Sequence, residues 1–269
     1  MRKKRLRSAL GPSATCLKLE VKALNPLTFV GLGFLVGFLV GLTGVGGGAL
    51  MTPSLIFLGV EPLTAVGTDL LYATVTRIFG VFFHGRKGRI RYDIALRLLA
   101  GSVPAIVLGG IILREIDRNA LNDHLTMLLG AILVVSAVLS LLKGEFRVPV
   151  RPRWAYVYLL GFIVGLTVQF TSVGAGVIVS FTLMNVARLD PKDVVGVTIV
   201  HGLALSALSF LNYAGMRSVD HSLAGVLIAG TVLGVYLGTH VNTQVDKEKL
   251  KRAMNVIILL IGIFTLLGR

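Results

Sequence analysis

Long apolar runs, separated by short polar stretches, fill this chain from residue 27 to residue 268. Eight of them, 27–43, 63–84, 94–113, 122–142, 154–171, 192–213, 221–241 and 250–268, are long enough to cross a bilayer as helices. Two further apolar segments, 46–58 and 174–187, are too short to cross at about 1.5 Å of rise per residue. Irregular backbone is tolerated at membrane depth only where protein or a water-filled cavity covers it. Both short segments are therefore expected to be re-entrant half-helices. The pattern predicts an all-α integral membrane protein with eight transmembrane helices. These form two homologous four-helix repeats, each with a glycine-rich re-entrant or broken helix.

The repeat is visible in the residues themselves. GFLVGLTGVGGGALMTP at 37–53 is echoed by GFIVGLTVQFTSVGAGVIVS at 161–180. Pro62-x-x-Ala65-Val66-Gly67 matches Pro191-x-x-Val194-Val195-Gly196, and GRIRYD at 88–93 resembles MRSVD at 216–220. The chain divides into a tail at 1–26, a first repeat at 27–142, a linker at 143–153 and a second repeat at 154–269. An even number of crossings per repeat would make the halves parallel, and an odd number would invert them. The pattern leaves both open. Glycine-interrupted hydrophobic segments at matching places in two halves point to a transport site.

Composition narrows the class. A chain that is 54% hydrophobic, with mean hydropathy +0.82, is no ordinary soluble domain. The net charge of +14 sits in clusters between apolar runs, which argues for membrane topology and against nucleic acid. With the basic N-terminus inside, the basic segments 86–91 and 143–153 also fall inside, and the charge-balanced segments 114–124 and 188–193 fall outside. One segment dissents: 246–252, with four basic and two acidic residues, lands outside. Cys16 is the only cysteine, so no intramolecular disulfide forms. The head lacks an apolar h-region before Leu27 and reads as a cytoplasmic tail near anionic lipid. The expected setting is a membrane, crossed many times, with both ends cytoplasmic.

The glycine clusters are candidate chemistry. Thr43, Gly44, Gly46, Gly47 and Gly48 leave backbone N–H groups uncovered. A helix starting near Gly48 would aim its positive end at that spot. Thr171, Ser172, Gly174, Ala175 and Gly176 offer the same backbone plus two hydroxyls. Together the two clusters could cradle one small oxyanion near the midplane. Close helix packing is the plainer reading of glycines, and a lone pair such as Gly37 and Gly41 fits it better. Gly44-x-Gly46-x-x-Ala49, with Asp69 downstream, formally fits a dinucleotide fingerprint, but its flanks are membrane spans rather than a strand and a sheet. No cofactor or metal motif is present in the sequence.

At GLTGVGGGALMTPSLIFLGVEPLTAVGTDLL, at SVGAGVIVSFTLM and at LDPKDVVGVT, the chain resembles the sulfite exporter TauE/SafE family. The basic loop HGRKGRIRYD also fits that family, and the resemblance covers residues 27–268. Ala175 stands where a glycine would be usual. The resemblance implies an inner-membrane carrier of sulfite or organosulfonate anions, driven by an ion gradient. Sulfite is the default substrate.

Ionisable residues inside a membrane are functional suspects because burying them is expensive. Arg77 could supply positive charge to a buried anion, or could pair structurally with a carboxylate or with backbone carbonyls. Asp69 could couple protons, or could lie wet near the outer end of its span. His201, aligned with Tyr72 in the repeat, is either a titrating group or a hydrogen-bonded packing residue. Thr68, Thr74, Thr198 and Asn212 could line a pathway, although helix hydroxyls ordinarily satisfy their own backbone. An intramembrane enzyme has little support: no zinc-ligand spacing and no nucleophile with a base appears. A passive anion channel and a non-transporting scaffold are the other classes weighed.

Overall fold

Pro26, Pro62 and Pro191 each open a helix, where the missing N–H is no loss. Glycines and loop residues close the helices. The computed structural model describes residues 26–43, 48–85, 91–141, 154–185, 189–241 and 247–267. The helices are α1 (Pro26–Thr43), α2 (Gly48–Phe57), α3 (Pro62–Gly85), α4 (Tyr92–Glu115) and α5 (Arg118–Leu141). They continue as α6 (Trp154–Thr171), α7 (Ala175–Asn185), α8 (Pro191–Gly215), α9 (His221–Val241) and α10 (Lys247–Leu267). No strand occurs among the described residues. Four stretches, Tyr92–Glu115, Ala120–Leu141, Asp193–Gly215 and His221–Gly238, are long and apolar enough to cross a membrane by length and composition. Shorter apolar helices lie beside them. The outer faces carry large apolar side chains such as Ile111, Leu211, Leu233 and Phe264, as a lipid-facing surface would.

Helix lengths run in step along the two halves. α1 and α6 have 18 residues each, α2 and α7 have 10 and 11, and α3 and α8 have 24 and 25. Side-chain contacts fix the directions. On α1 and α9, Gly33 meets Leu227 and Gly37 meets Thr231, so numbers rise together and the helices are parallel. α4 and α6 are parallel by the same test, with Leu98 at Gly161 and Ser102 at Gly165. α3 and α8 are antiparallel, because Gly67 meets Tyr213 while Arg77 meets Gly202. α5 and α10 are also antiparallel, with Gly130 at Leu266 and Ser140 at Asn255. Thr68 with Asp220, and Tyr72 with Thr231, make α3 parallel to α9 and hence to α1.

The chain therefore enters α1 and α3 in the same sense, and α2 must carry it back between them. Ser54, Phe57 and Leu58 lie beside Thr28, Leu32 and Leu35, which confirms that α2 folds back along α1. Gly59, at φ 83°, closes α2: its own N–H bonds the Ile56 carbonyl and the Val60 N–H bonds that of Leu55. Each half thus contains five alternating elements, and the second half runs opposite to the first.

This corrects one expectation. The start of α1 lies at the opposite end of the bundle from the α3–α4 connection. The expected layout placed these two on one side. The ends of α3, α5 and α9 and the starts of α4, α6, α8 and α10 lie at one end. The start of α10, within the dissenting segment, is thus at the same end as the end of α3 and the start of α6. The start of α1 and the end of α10 lie together at the other end. The tail, the linker and residues 44–47 fall outside the described residues.

Glycines do the close packing. A side chain at Gly230, Gly234 or Gly238 of α9 would strike the backbone of α1, and one at Gly101 or Gly161 would do the same between α4 and α6. Without a hydrophobic force between helices in lipid, such backbone approach supplies the dispersion contacts that hold a bundle together. Gly37 packs against Thr231, as its plainer reading expected.

Candidate functional site

The start of α2 meets the break between α6 and α7. α6 ends at Thr171; Ser172 then takes a left-handed conformation at φ 60°, Gly174 sits at φ 101°, and α7 begins at Ala175. The Ser172 carbonyl faces the start of α2 so closely that a Cβ on Gly48 would stand 2.9 Å from its oxygen. The first turn of a short helix from one half thus abuts the loop that starts the short helix of the other. Both helices present N-terminal N–H groups toward this junction, the arrangement that attracts an anion.

Asp69 of α3 reaches the same place. Its carboxylate is fully buried and accepts a 2.5 Å hydrogen bond from the Thr52 hydroxyl, one turn into α2. Its Oδ2 would be 3.6 Å from a Cβ on Gly48. Asp69 Oδ1 and the buried Ser172 hydroxyl have no hydrogen-bond partner among the described residues. The outer, wet reading of Asp69 is overturned, because α2 folds back and covers it. A carboxylate so placed acts as an internal anion at the start of α2.

The other candidates separate. Thr171 donates to the Thr167 carbonyl at 2.7 Å and accepts from the Val173 N–H at 3.3 Å, which shapes the break. Ala175 is buried beside it. Gly176 is exposed, and a Cβ there would meet nothing within 4 Å. It points away from the junction because one residue of helix turns a side chain by about 100°. Thr68 accepts from the Asp220 N–H at 3.0 Å and so ties α3 to the α8–α9 turn. Thr198 donates to its own Val195 carbonyl at 3.0 Å and belongs to its helix rather than the junction. Thr74 bonds Leu70 in the same way, and Asn212 reaches Ile106 of α4. Arg77 donates to the Gly202 carbonyl at 2.6 Å and so clamps α3 to α8. Gly44, Gly46 and Gly47 lie outside the described residues, as does the Thr43 side chain.

His201 is buried. Its Nε2 lies 2.9 Å from Ser102 Oγ, whose single proton goes to the Gly161 or the Leu98 carbonyl. Nε2 is therefore the donor in this assigned network. Tyr72, its counterpart in the first half, pairs with Thr231, and Thr231 donates to the Gly33 carbonyl. A tyrosine and a histidine thus fill the same place with the same kind of bond. Thr52 and these two hydroxyl clamps escaped sequence reasoning. Thr52 stands one turn after Gly48 in the motif itself, which was the available signal.

Comparison with known proteins decides the family. The model of the sulfite exporter TauE/SafE family matches residues 29–265. The chain belongs to the sulfite exporter TauE/SafE family. It is 34% identical over 244 residues to the probable membrane transporter protein YjnA of Bacillus subtilis, covering 86% of this chain and 96% of that one. It is 27% identical over 249 residues to a probable membrane transporter protein of Xylella fastidiosa, covering 88% of this chain and 93% of that one. A further relative, MJ0441 of Methanocaldococcus jannaschii, is 22% identical over 273 residues. No solved structure matches. This TauE/SafE member is a membrane transporter, with the most buried acid among its described residues at the point where its two short helices start.

Proposed function

We propose that this protein is a secondary carrier of sulfite or a related small organosulfur or sulfonate anion, coupled to an ion gradient. The observation that carries the reading is the meeting of Gly48, Thr52, Asp69 and Ser172 at the facing starts of α2 and α7. Helix N-termini favour an anion there. A buried carboxylate at the same spot competes with it, since two like charges in low dielectric repel strongly. Proton uptake by Asp69 removes the competitor and admits the substrate. Substrate and proton then move together, and alternate exposure of the junction completes the cycle.

The reading includes the membrane layout. α1 with α2, and α6 with α7, are the re-entrant hairpins that enter from opposite sides and meet inside; α3, α4, α5, α8, α9 and α10 cross, and the two halves form an inverted homologous pair. The end that carries 86–91, 143–153 and 246–252 faces the cytoplasm of a bacterial inner membrane, because these three basic segments outweigh the single basic tail. Both chain ends then face outward, the reverse of the placement expected from the tail alone.

The test is sulfite flux in proteoliposomes of the purified protein, with and without an imposed proton gradient. Saturable, gradient-dependent flux is expected. Flux that rises linearly with concentration and ignores the gradient would make the protein a channel.

A further inference from the structure

α6 carries one buried side chain that nothing in the fold satisfies. Gln169 is 0% exposed, and neither its Nε2 nor its Oε1 has a hydrogen-bond partner among the described residues. Its backbone is held firmly, since the Tyr213 hydroxyl donates to its carbonyl at 2.9 Å. Its stem is held too, packed against α4 so that a Cβ on Gly109 would lie 2.8 Å from Gln169 Cγ. Ser209 precedes Tyr213 by one turn on the same face of α8 and is also buried, its hydroxyl without a partner. A buried polar group left unpaired forfeits the hydrogen bonds it made in water. An amide so fixed and so unsatisfied calls for a ligand.

Sequence adds an independent mark. After the shared Gly-Leu-Thr at 41–43 and 165–167, the second half inserts residues before its glycine cluster, and Gln169 lies among them. The insertion gives α6 a further turn beyond its Gly-Leu-Thr, whereas α1 ends on its own. Gln169 therefore has no counterpart in the first half. It stands three residues before Ser172, on the helix that leads into the junction.

We infer that Gln169, with Ser209, reads the transported anion in its singly protonated form. The inference rests on the carrier reading above. An amide Nε2 only donates and Oε1 only accepts. A ligand that satisfies both must accept at one point and donate at another. Fully deprotonated sulfite, sulfate and alkylsulfonates offer acceptors alone. Hydrogensulfite offers both, and sulfite converts to it near neutral pH. A neutral lining in low dielectric also admits one charge more readily than two.

The experiment is sulfite flux by the full chain in proteoliposomes at pH values below and above neutral, for wild type and for Gln169→Leu, with methanesulfonate as competitor. The wild-type KM for total sulfite is expected to fall as pH falls, and methanesulfonate is expected to compete at least tenfold more weakly. Gln169→Leu is expected to raise KM at least tenfold and to lose that discrimination, with Tm unchanged or higher because an unsatisfied amide is gone. Ser209→Ala, a smaller change, is expected to raise KM severalfold at unchanged Tm. A wild-type KM in both variants would overturn the inference, as would a wild-type KM that falls with rising pH. Absence of any sulfite flux in the wild type would instead remove the carrier reading, and this inference with it.

Discussion

Adding a single methyl group to Gly48 tests the geometry of the junction. In Gly48→Ala the new Cβ would stand 2.9 Å from the Ser172 carbonyl oxygen and 3.8 Å from its carbon. The obstacle is backbone, not a flexible side chain, so the two breaks must move apart. Overpacking of this kind costs about 1–3 kcal/mol. If the junction is the binding site, the loss falls on the competent geometry and lowers kcat/KM for the anion by about five- to 150-fold. Gly176→Ala supplies the contrast from the same motif. Its Cβ meets nothing within 4 Å, so flux should match wild type, and helix propensity should raise stability by up to about 1 kcal/mol. The assay is initial flux of sulfite in proteoliposomes, normalised to protein inserted, with Tm measured on the same preparations. Wild-type flux in Gly48→Ala, or an equal loss in Gly176→Ala, would refute the argument that the facing breaks form the site.

Two more predictions concern the scaffold. Arg77→Gln removes a charged hydrogen bond to the Gly202 carbonyl, worth about 1.5–3 kcal/mol, so Tm should fall by several degrees while Arg89→Gln leaves it unchanged; equal Tm values would deny the clamp between α3 and α8. In a Cys16→Ser background, a cysteine at Asp117 and one at Lys251 should label from opposite sides of the membrane with an impermeant thiol reagent, because the α4–α5 turn and the start of α10 lie at opposite ends of the bundle; labelling from one side would overturn the five-element halves.

The helices were legible because apolar run length is a direct physical requirement of the bilayer. Expected spans 154–171 and 221–241 coincide with α6 and α9, and 27–43 with α1 to within one residue. Helix direction was not legible. It depends on whether the short segment returns the chain, and that depends on the end of α2 lying beside the start of α1 rather than on composition. The same blindness affected Asp69: position along α3 suggested water, whereas α2 folding back buries it under Thr52. Gly48 and Ser172 were identified from duplication and glycine spacing alone. Gly176 was not separable from them, since a pattern of glycines does not say which of them faces the partner backbone. His201 and Tyr72 stand in matching places of the repeat, and both rings fill a slot closed by a hydroxyl from α4 or α9, which the alignment pairs but does not describe.

The central claim is that a proton on Asp69 admits the anion to the junction. Its most direct test is Asp69→Asn, which leaves a neutral group of the same shape at that spot. Sulfite counterflow and sulfite accumulation driven by a proton gradient would be measured side by side in proteoliposomes. The account predicts that Asp69→Asn keeps counterflow and loses gradient-driven accumulation. Accumulation that follows the proton gradient as in wild type would contradict it.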